Sequence, residues 1–199
     1  MATSIQPGLV TDLAGLRAAV TAGWQPEYLF FWGHKGRPDS LGKHILSQWW
    51  PASFEIDGRL YPTAEHFMMA EKARLFGDTA IEARILATAE PGTAKALGRK
   101  VHGFEPERWE AACQAIVARG NLAKFIQNPA MGGWLRKTGA AILVEASPVD
   151  PIWGIGLAGD DPRAQDPGQW LGTNFLGFAL MRVRATLNEA MAAPVTPPR

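Results

Sequence analysis

The residues best suited to chemistry in this chain are carboxylates set among aromatics and glycines. In the stretch "PTAEHFMMAEKARLF", Glu65 and Lys72 stand seven positions apart and so nearly eclipse one another on a helix, with Met68 and Met69 between them and Phe76 one turn beyond. A carboxylate among Met and Phe is costly to bury unless it is paired. The face therefore holds a functional acid, or Glu65 is exposed or satisfied through Lys72. In "SPVDPIWGIGL", residues 147 to 157, Asp150 falls just past a strand, followed by Trp153 and the alternating glycines Gly154 and Gly156. Two readings are open there. Asp150-Pro151 starts a turn while Trp153 plugs the core, or the acid faces a crevice and the glycines let a ligand approach the backbone. A third group, "FFWGHKGRPDS", places Trp32, Gly33, His34, Lys35 and Arg37 together, which suits stacking of a heterocycle and holding of a phosphate.

Common catalytic signatures are missing. There is no G-x-S-x-G elbow, P-loop, H-E-x-x-H or C-x-x-C, and Gly154 with Gly156 lacks the third glycine and helix of a dinucleotide fingerprint. The histidines His34, His44, His66 and His102 are never four apart, and Cys113 is the only cysteine, so no metal and no cofactor are expected. His66 falls off the Glu65 face and reads as structural or exposed. Trp49, Trp50 and Trp109 read mainly as plugs. Carboxylates, aromatics and glycine loops suit cleavage of a glycosidic bond, in which an acid stabilises an oxocarbenium-like centre or activates water and aromatics hold the leaving base.

The elements that must position these residues are legible as patterns. A weak helix around "TDLAGLRAAVTAG" lies in a peripheral N-terminal segment, residues 1 to 27, and "YLFFWG" is a strand. A second extended segment turns at Asp57-Gly58 and runs through Pro62, placed in the first turn, into a helix from Thr63 to Phe76. Thr79 with Glu82 forms a capping box opening "TAIEARILATAE". Pro91 and Gly98 bracket a short helix, Pro106 opens a longer one, and Asn128-Pro129 precedes another that carries Trp134 and Leu135. The run "AILVEA" reads as a strand buried on both faces. A glycine-rich loop leads to "NFLGFALMRVRATLNEAM", an amphipathic helix, and residues 191 to 199 form a flexible proline-rich tail. Helices outweigh strands without regular alternation, so the expected class is α+β, a single mostly helical domain with a small sheet, spanning residues 28 to 190.

Bulk composition narrows the partners. The chain of 199 residues is long enough for one core without disulfides or metals, and it is 47% hydrophobic and 20% charged. A formal net charge of +1 gives no field for generic binding to nucleic acid or anionic membranes, so an anionic ligand must be caught locally. No run approaches the roughly 20 apolar residues of a membrane span, and the N-terminus lacks the order of a signal peptide, so no membrane partner and a cytoplasmic location are expected.

The ordered segments "FWGH", "LSQWWPASFEIDGRLYPTAEHFMMAEKARLFGD", "LGRKVHGFEPERW", "NLAKFIQNP", "LRKTGAAILVEASPVDPIWGIGL" and "WLGTNFLGFALMRVR" resemble the NADAR family, also called YbiA-like N-glycosidases, from about residue 29 to about residue 187. The resemblance implies a YbiA-like α+β fold and hydrolysis of N-glycosidic bonds. It points to ribosylamino-pyrimidine phosphates, early intermediates of riboflavin biosynthesis, or to ADP-ribose attached to a nucleobase. Glu65 corresponds to the acid of the family's P-T-x-E-H segment, and Trp109 to the tryptophan after its LGR segment. Asp150, Trp153, Gly154 and Gly156 correspond to its D-x-x-W-G-x-G loop, and Asn174 with Gly177 to N-x-L-G. On this basis Glu65 and Asp150 are expected to flank the sugar, Lys72 to set the ionisation of Glu65, and Asn174 to donate to sugar or phosphate. Trp32, Gly33, His34, Trp109, Trp153, Gly154 and Gly156 complete the expected binding set. The expected partner is a small nucleotide-like molecule, free or as ADP-ribosylated nucleic acid, and oligomeric state is not set by these residues. A non-catalytic nucleotide or ADP-ribose binding module is the competing class, using the same tryptophans and glycines without needing Glu65.

Overall fold

The computed structural model describes residues 10–37 and 40–192. The first nine residues of the N-terminal segment and, from residue 193 on, the expected tail lie outside the described residues. In chain order the elements are α1 (Leu13–Thr21), β1 (Tyr28–Phe31), β2 (Phe54–Ile56), β3 (Arg59–Tyr61), α2 (Ala64–Leu75), α3 (Thr79–Ala87), α4 (Pro91–Gly98), α5 (Pro106–Gln127), α6 (Pro129–Lys137), β4 (Ile142–Glu145) and α7 (Phe175–Ala192). The class is α+β and mostly helical. The strands form two separate two-stranded sheets rather than one, and contacts divide the chain into two compact units, Gly33–Pro129 and the segments on either side of it.

In the flanking unit, β1 and β4 pair in parallel with Tyr28 opposite Ile142 and Phe31 opposite Glu145. Ile142, Leu143 and Val144 are fully buried, as an apolar run without alternation requires. Helix α7 packs on β4. Close approach is possible because Gly177 lies against the Leu143 carbonyl, where a Cβ would overlap the oxygen. Arg184 ties α7 to the turn after α6 by donating from Nη1 to Thr138 Oγ1 at 2.7 Å and to the Ala141 carbonyl at 2.9 Å.

The Gly33–Pro129 unit is built around α2, which packs against α3, α4, α5 and β3. Every residue from Thr63 to Ala70 is buried, so the first two turns are surrounded on all sides, and the helix meets solvent only farther along, at Arg74. Phe67 anchors it, edge-on to Tyr61 at 5.1 Å and to Phe54 at 6.0 Å between ring centroids. Those two rings come from the β2–β3 hairpin, in which Phe54 pairs with Tyr61 and Asp57-Gly58 makes the turn with φ of 53° and 72°.

Two cap assignments differ from the sequence pattern. Thr63 is the N-cap of α2, its hydroxyl accepting from the His66 N–H, so Pro62 precedes the helix instead of sitting in its first turn. At α3 the cap is Asp78, whose Oδ1 accepts the Ile81 N–H at 3.0 Å, and Thr79 is already helical. Glu82 does not close a capping box, because its carboxylate bridges Arg59 and Arg74, the latter at 2.6 Å. The second Asp78 oxygen takes both the backbone N–H and Nδ1 of His102, at 2.9 and 2.7 Å, and these bonds with that from Ile81 hold the carboxyl down at about 2.

Gly177→Ala should force α7 away from β4 and cost about 1–3 kcal/mol, lowering Tm by about 3–10 °C in a thermal melt. An unchanged Tm would show that the β4–α7 packing tolerates a methyl group.

Candidate active site

Glu65 occupies the second position of α2, where its negative charge is favoured by the helix N-terminus. It is 2% exposed, and Met68 and Met69, three and four positions along the helix, are 4% and 6% exposed. Its backbone N–H, one of the donors that a first turn leaves without an intrahelical partner, is satisfied by the Gln48 carbonyl at 3.0 Å. His66 beside it is fully buried, which favours the structural of its two readings over the exposed one. Its Nδ1 lies 2.8 Å from Thr63 Oγ1, and burial pushes the imidazole below its ordinary pKa, opposed by the Thr88 backbone and Glu90.

Lys72 lies two turns along α2. Its ammonium sits 4.1 Å from the centroid of Phe104 and 5.5 Å from that of Trp109. Burial first, and the nearby Arg99 second, lower its pKa. The ring series continues through Phe76, 5.4 Å from Phe104, onto which Arg108 packs at 5.5 Å. Trp109 is half-buried and Phe104 is 42% exposed. The structure thus brings Lys72 and Trp109 together as a cation on aromatic faces, a surface suited to a flat base carrying an anionic group. In the same unit Gly33 has φ of 75° and the His34 ring lies 5.5 Å from that of Trp49.

A buried polar group that the sequence reading missed lies on α5. Lys124 is fully buried on α5, and its Nζ donates to the carbonyls of Ile45 and Ser47, both at 2.8 Å. Asn121, also fully buried, accepts from Gln48 Nε2 at 3.0 Å and donates to the Val117 carbonyl at 2.8 Å. A signal was available. Cys113, Val117, Gly120, Asn121 and Lys124 recur at helical spacing and all are buried, so the core stripe of α5 runs straight through the two polar residues.

In the other unit the loop after β4 is a dense backbone knot. Asp150 Oδ1 accepts the N–H groups of Ile152 and Trp153, at 3.1 and 2.9 Å, so part of its carboxylate shapes the turn that carries Trp153. Trp153 packs edge-on against Phe175 at 6.1 Å. A Cβ on Gly154 would stand 2.7 Å from the Glu145 carbonyl and 2.9 Å from that of Asp150, and Gly156 has φ of 69°. Close packing and backbone conformation therefore demand these glycines, a nearer cause than room for a ligand. Asn174, expected to donate to a sugar or phosphate, is fully buried and clamps β4 instead: Nδ2 donates to the Leu143 carbonyl and Oδ1 accepts from the Glu145 N–H, both at 2.9 Å. Trp32, at the end of β1, is 58% exposed.

Among the described residues no group of three or more His, Cys, Asp or Glu could hold a metal ion, and no helix is long and apolar enough to cross a membrane.

A family model described as the NADAR domain matches residues 30–188. The chain belongs to the NADAR family. It is similar to N-glycosidase R617 of Acanthamoeba polyphaga mimivirus, 40% identical over 163 residues that cover 79% of this chain and 95% of the relative. It is also similar to N-glycosidase YbiA of Escherichia coli strain K12, 30% identical over 138 residues, 69% of this chain and 76% of that one. The NMR structure of E. coli YbiA shares the NADAR fold seen here, with a TM-score of 0.70 over 88% of this chain and 94% of that chain at 24% identity. Riboflavin biosynthesis protein VVA0006 of Vibrio vulnificus is 28% identical over 145 residues, which are 73% of this chain and 36% of that protein.

Burial pushes the Lys124 ammonium down to about 7 in the folded protein, from 10.5 when solvated. Below the folded pKa both states hold the proton and the penalty of the buried charge is complete. Between the two values the unfolded chain binds more protons, so stability rises with pH. The Tm of the parent relative to Lys124→Met should therefore climb by about 5 °C or more between pH 7 and 9.5. A constant difference across that window would show that Lys124 keeps an ordinary pKa.

Proposed function

We propose that this chain hydrolyses the N-glycosidic bond of a ribosylamino-pyrimidine phosphate, with Glu65 as the carboxylate that acts at the anomeric carbon. The enzyme class is N-glycosidase, a hydrolase acting on N-glycosyl compounds, in keeping with relatives that carry that name at 40% and 30% identity. The observation that carries the assignment is the near-complete burial of Glu65 at the start of a helix whose first two turns are buried throughout. Core packing gains nothing from a carboxylate there, whereas a positive charge developing on a sugar does.

As the bond from C1 to nitrogen breaks, its electron pair leaves with the base and C1 acquires oxocarbenium character. The Glu65 carboxylate stabilises that charge or takes a proton from the attacking water, whose oxygen becomes the new C1 hydroxyl, and a proton completes the departing amine. Trp109 and Phe104, with Lys72 over them, offer stacking and positive charge to a flat, phosphate-bearing ligand. The pyrimidine phosphate as substrate is supported by the similarity to a protein named for riboflavin biosynthesis.

Glu65→Gln keeps the shape and removes the charge. It should lower kcat by about 100-fold or more with little change in KM, the mark of an interaction made mainly in the transition state. Base release by chromatography from ribosylamino-pyrimidine phosphates, ADP-ribosylated guanine and NAD tests both enzyme and substrate. Release from the ADP-ribosyl arm alone would replace the pyrimidine assignment. Ligand binding without release of base or free sugar from any arm would make the chain a binding module.

A further inference from the structure

We propose that Lys124, together with Asn121, is a positioning residue that holds Glu65 in place through the segment from Ile45 to Gln48, taking Glu65 as the acting carboxylate. Residues Lys43–Leu46 form one 3-10 turn that ends at Ser47. The carbonyls at such an end lack partners within the turn; that of Ser47 accepts the Trp50 N–H at 3.3 Å, and on an open surface water would supply the remaining bonds. Here the Lys124 ammonium is carried into the interior to take two of them, Ile45 and Ser47, at 2.8 Å each. Three residues earlier on the same helix, Asn121 is locked by its bond to the Val117 carbonyl and holds the Gln48 side chain at 3.0 Å. Gln48 then presents its own carbonyl to the Glu65 N–H at 3.0 Å.

The path is continuous: α5, the 45–48 segment, then the first turn of α2. Every bond in it is a hydrogen bond to backbone or to a side-chain amide, so each link fixes direction as well as distance. Burying an ammonium is costly, and a segment with no task beyond filling space has no need of one. What the segment reaches is the backbone of Glu65. Displacing that backbone by about 1 Å is enough to cost about 100-fold in rate when the carboxylate must meet a developing charge.

The test uses the full chain with Lys124→Met and Gln48→Leu, the second leaving Lys124 and both its bonds intact so that a poorly folding first variant does not end the experiment. Amide hydrogen exchange is followed by NMR at Glu65 and at Phe67 to Ala70, alongside kcat and KM for release of base. The Glu65 amide should exchange about 10-fold or more faster in either variant while the later α2 amides keep their protection, and kcat should fall about 10- to 100-fold with KM within about threefold. Unchanged exchange at Glu65 in both variants overturns the proposal. So does equal acceleration along all of α2, which marks a general packing role. If Glu65→Gln turns over normally while Lys124→Met still releases the Glu65 amide, the positioning stands and the catalytic reading of Glu65 is what fails.

Discussion

Enclosing the first two turns of α2 on every side is the constraint from which the Gly33–Pro129 unit follows. A helical segment without a wet face must either exclude polar side chains or supply each with partners, and this part of α2 carries Glu65 and His66. Thr63 serves the helix and the imidazole together, capping the His66 N–H and meeting Nδ1. The Glu65 backbone depends on Gln48, Gln48 on Asn121, and the turn before it on Lys124. The surrounding apolar anchors, Phe67 with Tyr61 and Phe54, drive the burial that makes these polar partners necessary.

The flanking unit meets a similar demand with backbone instead of charge. Strand β4 has one partner strand, β1, and its remaining edge groups are buried. Asn174 supplies a donor and an acceptor to that edge in the manner of a missing strand, and Ile155 adds an N–H to the Glu145 carbonyl at 2.9 Å. The left-handed conformation of Asn174, φ 56°, lets one residue end the loop and start α7 while its amide reaches back. Gly154 and Gly177 belong to the same solution, since each lies where a side chain would strike a carbonyl of β4. The N-x-L-G segment is thus explained by the strand it completes.

On the proposed reading, chemistry and architecture share residues. An acid at the start of a buried helix is stabilised by the helix N-terminus and deprived of water, which strengthens its interaction with any positive charge brought to it. The cationic and aromatic surface of Lys72, Phe104 and Trp109 is built on the far part of the same helix and on the start of α5, so both features rest on α2 and α5 packing.

The sequence by itself determined most elements. Periodicity and proline placement located the seven α-helices of the described residues, Asp57-Gly58 marked the turn after β2, and the unbroken run in β4 foretold burial on both faces. These are local properties, decided within a few residues by dihedral preference and spacing. Tertiary structure decided what each polar group does. Glu82 fits a capping box by spacing, yet Arg59 on the hairpin and Arg74 on the preceding helix claim it, and Asp78 takes the cap. Gly154 and Asn174 match a ligand loop by type, but the carbonyls that determine their environment belong largely to β4. Lys124 sits on a core stripe that periodicity reveals, while the carbonyls that make its burial tolerable lie 79 and 77 positions away. Hydrogen-bond partners and burial are set by which segments meet, and pairings across long sequence separation leave no periodic trace in the chain.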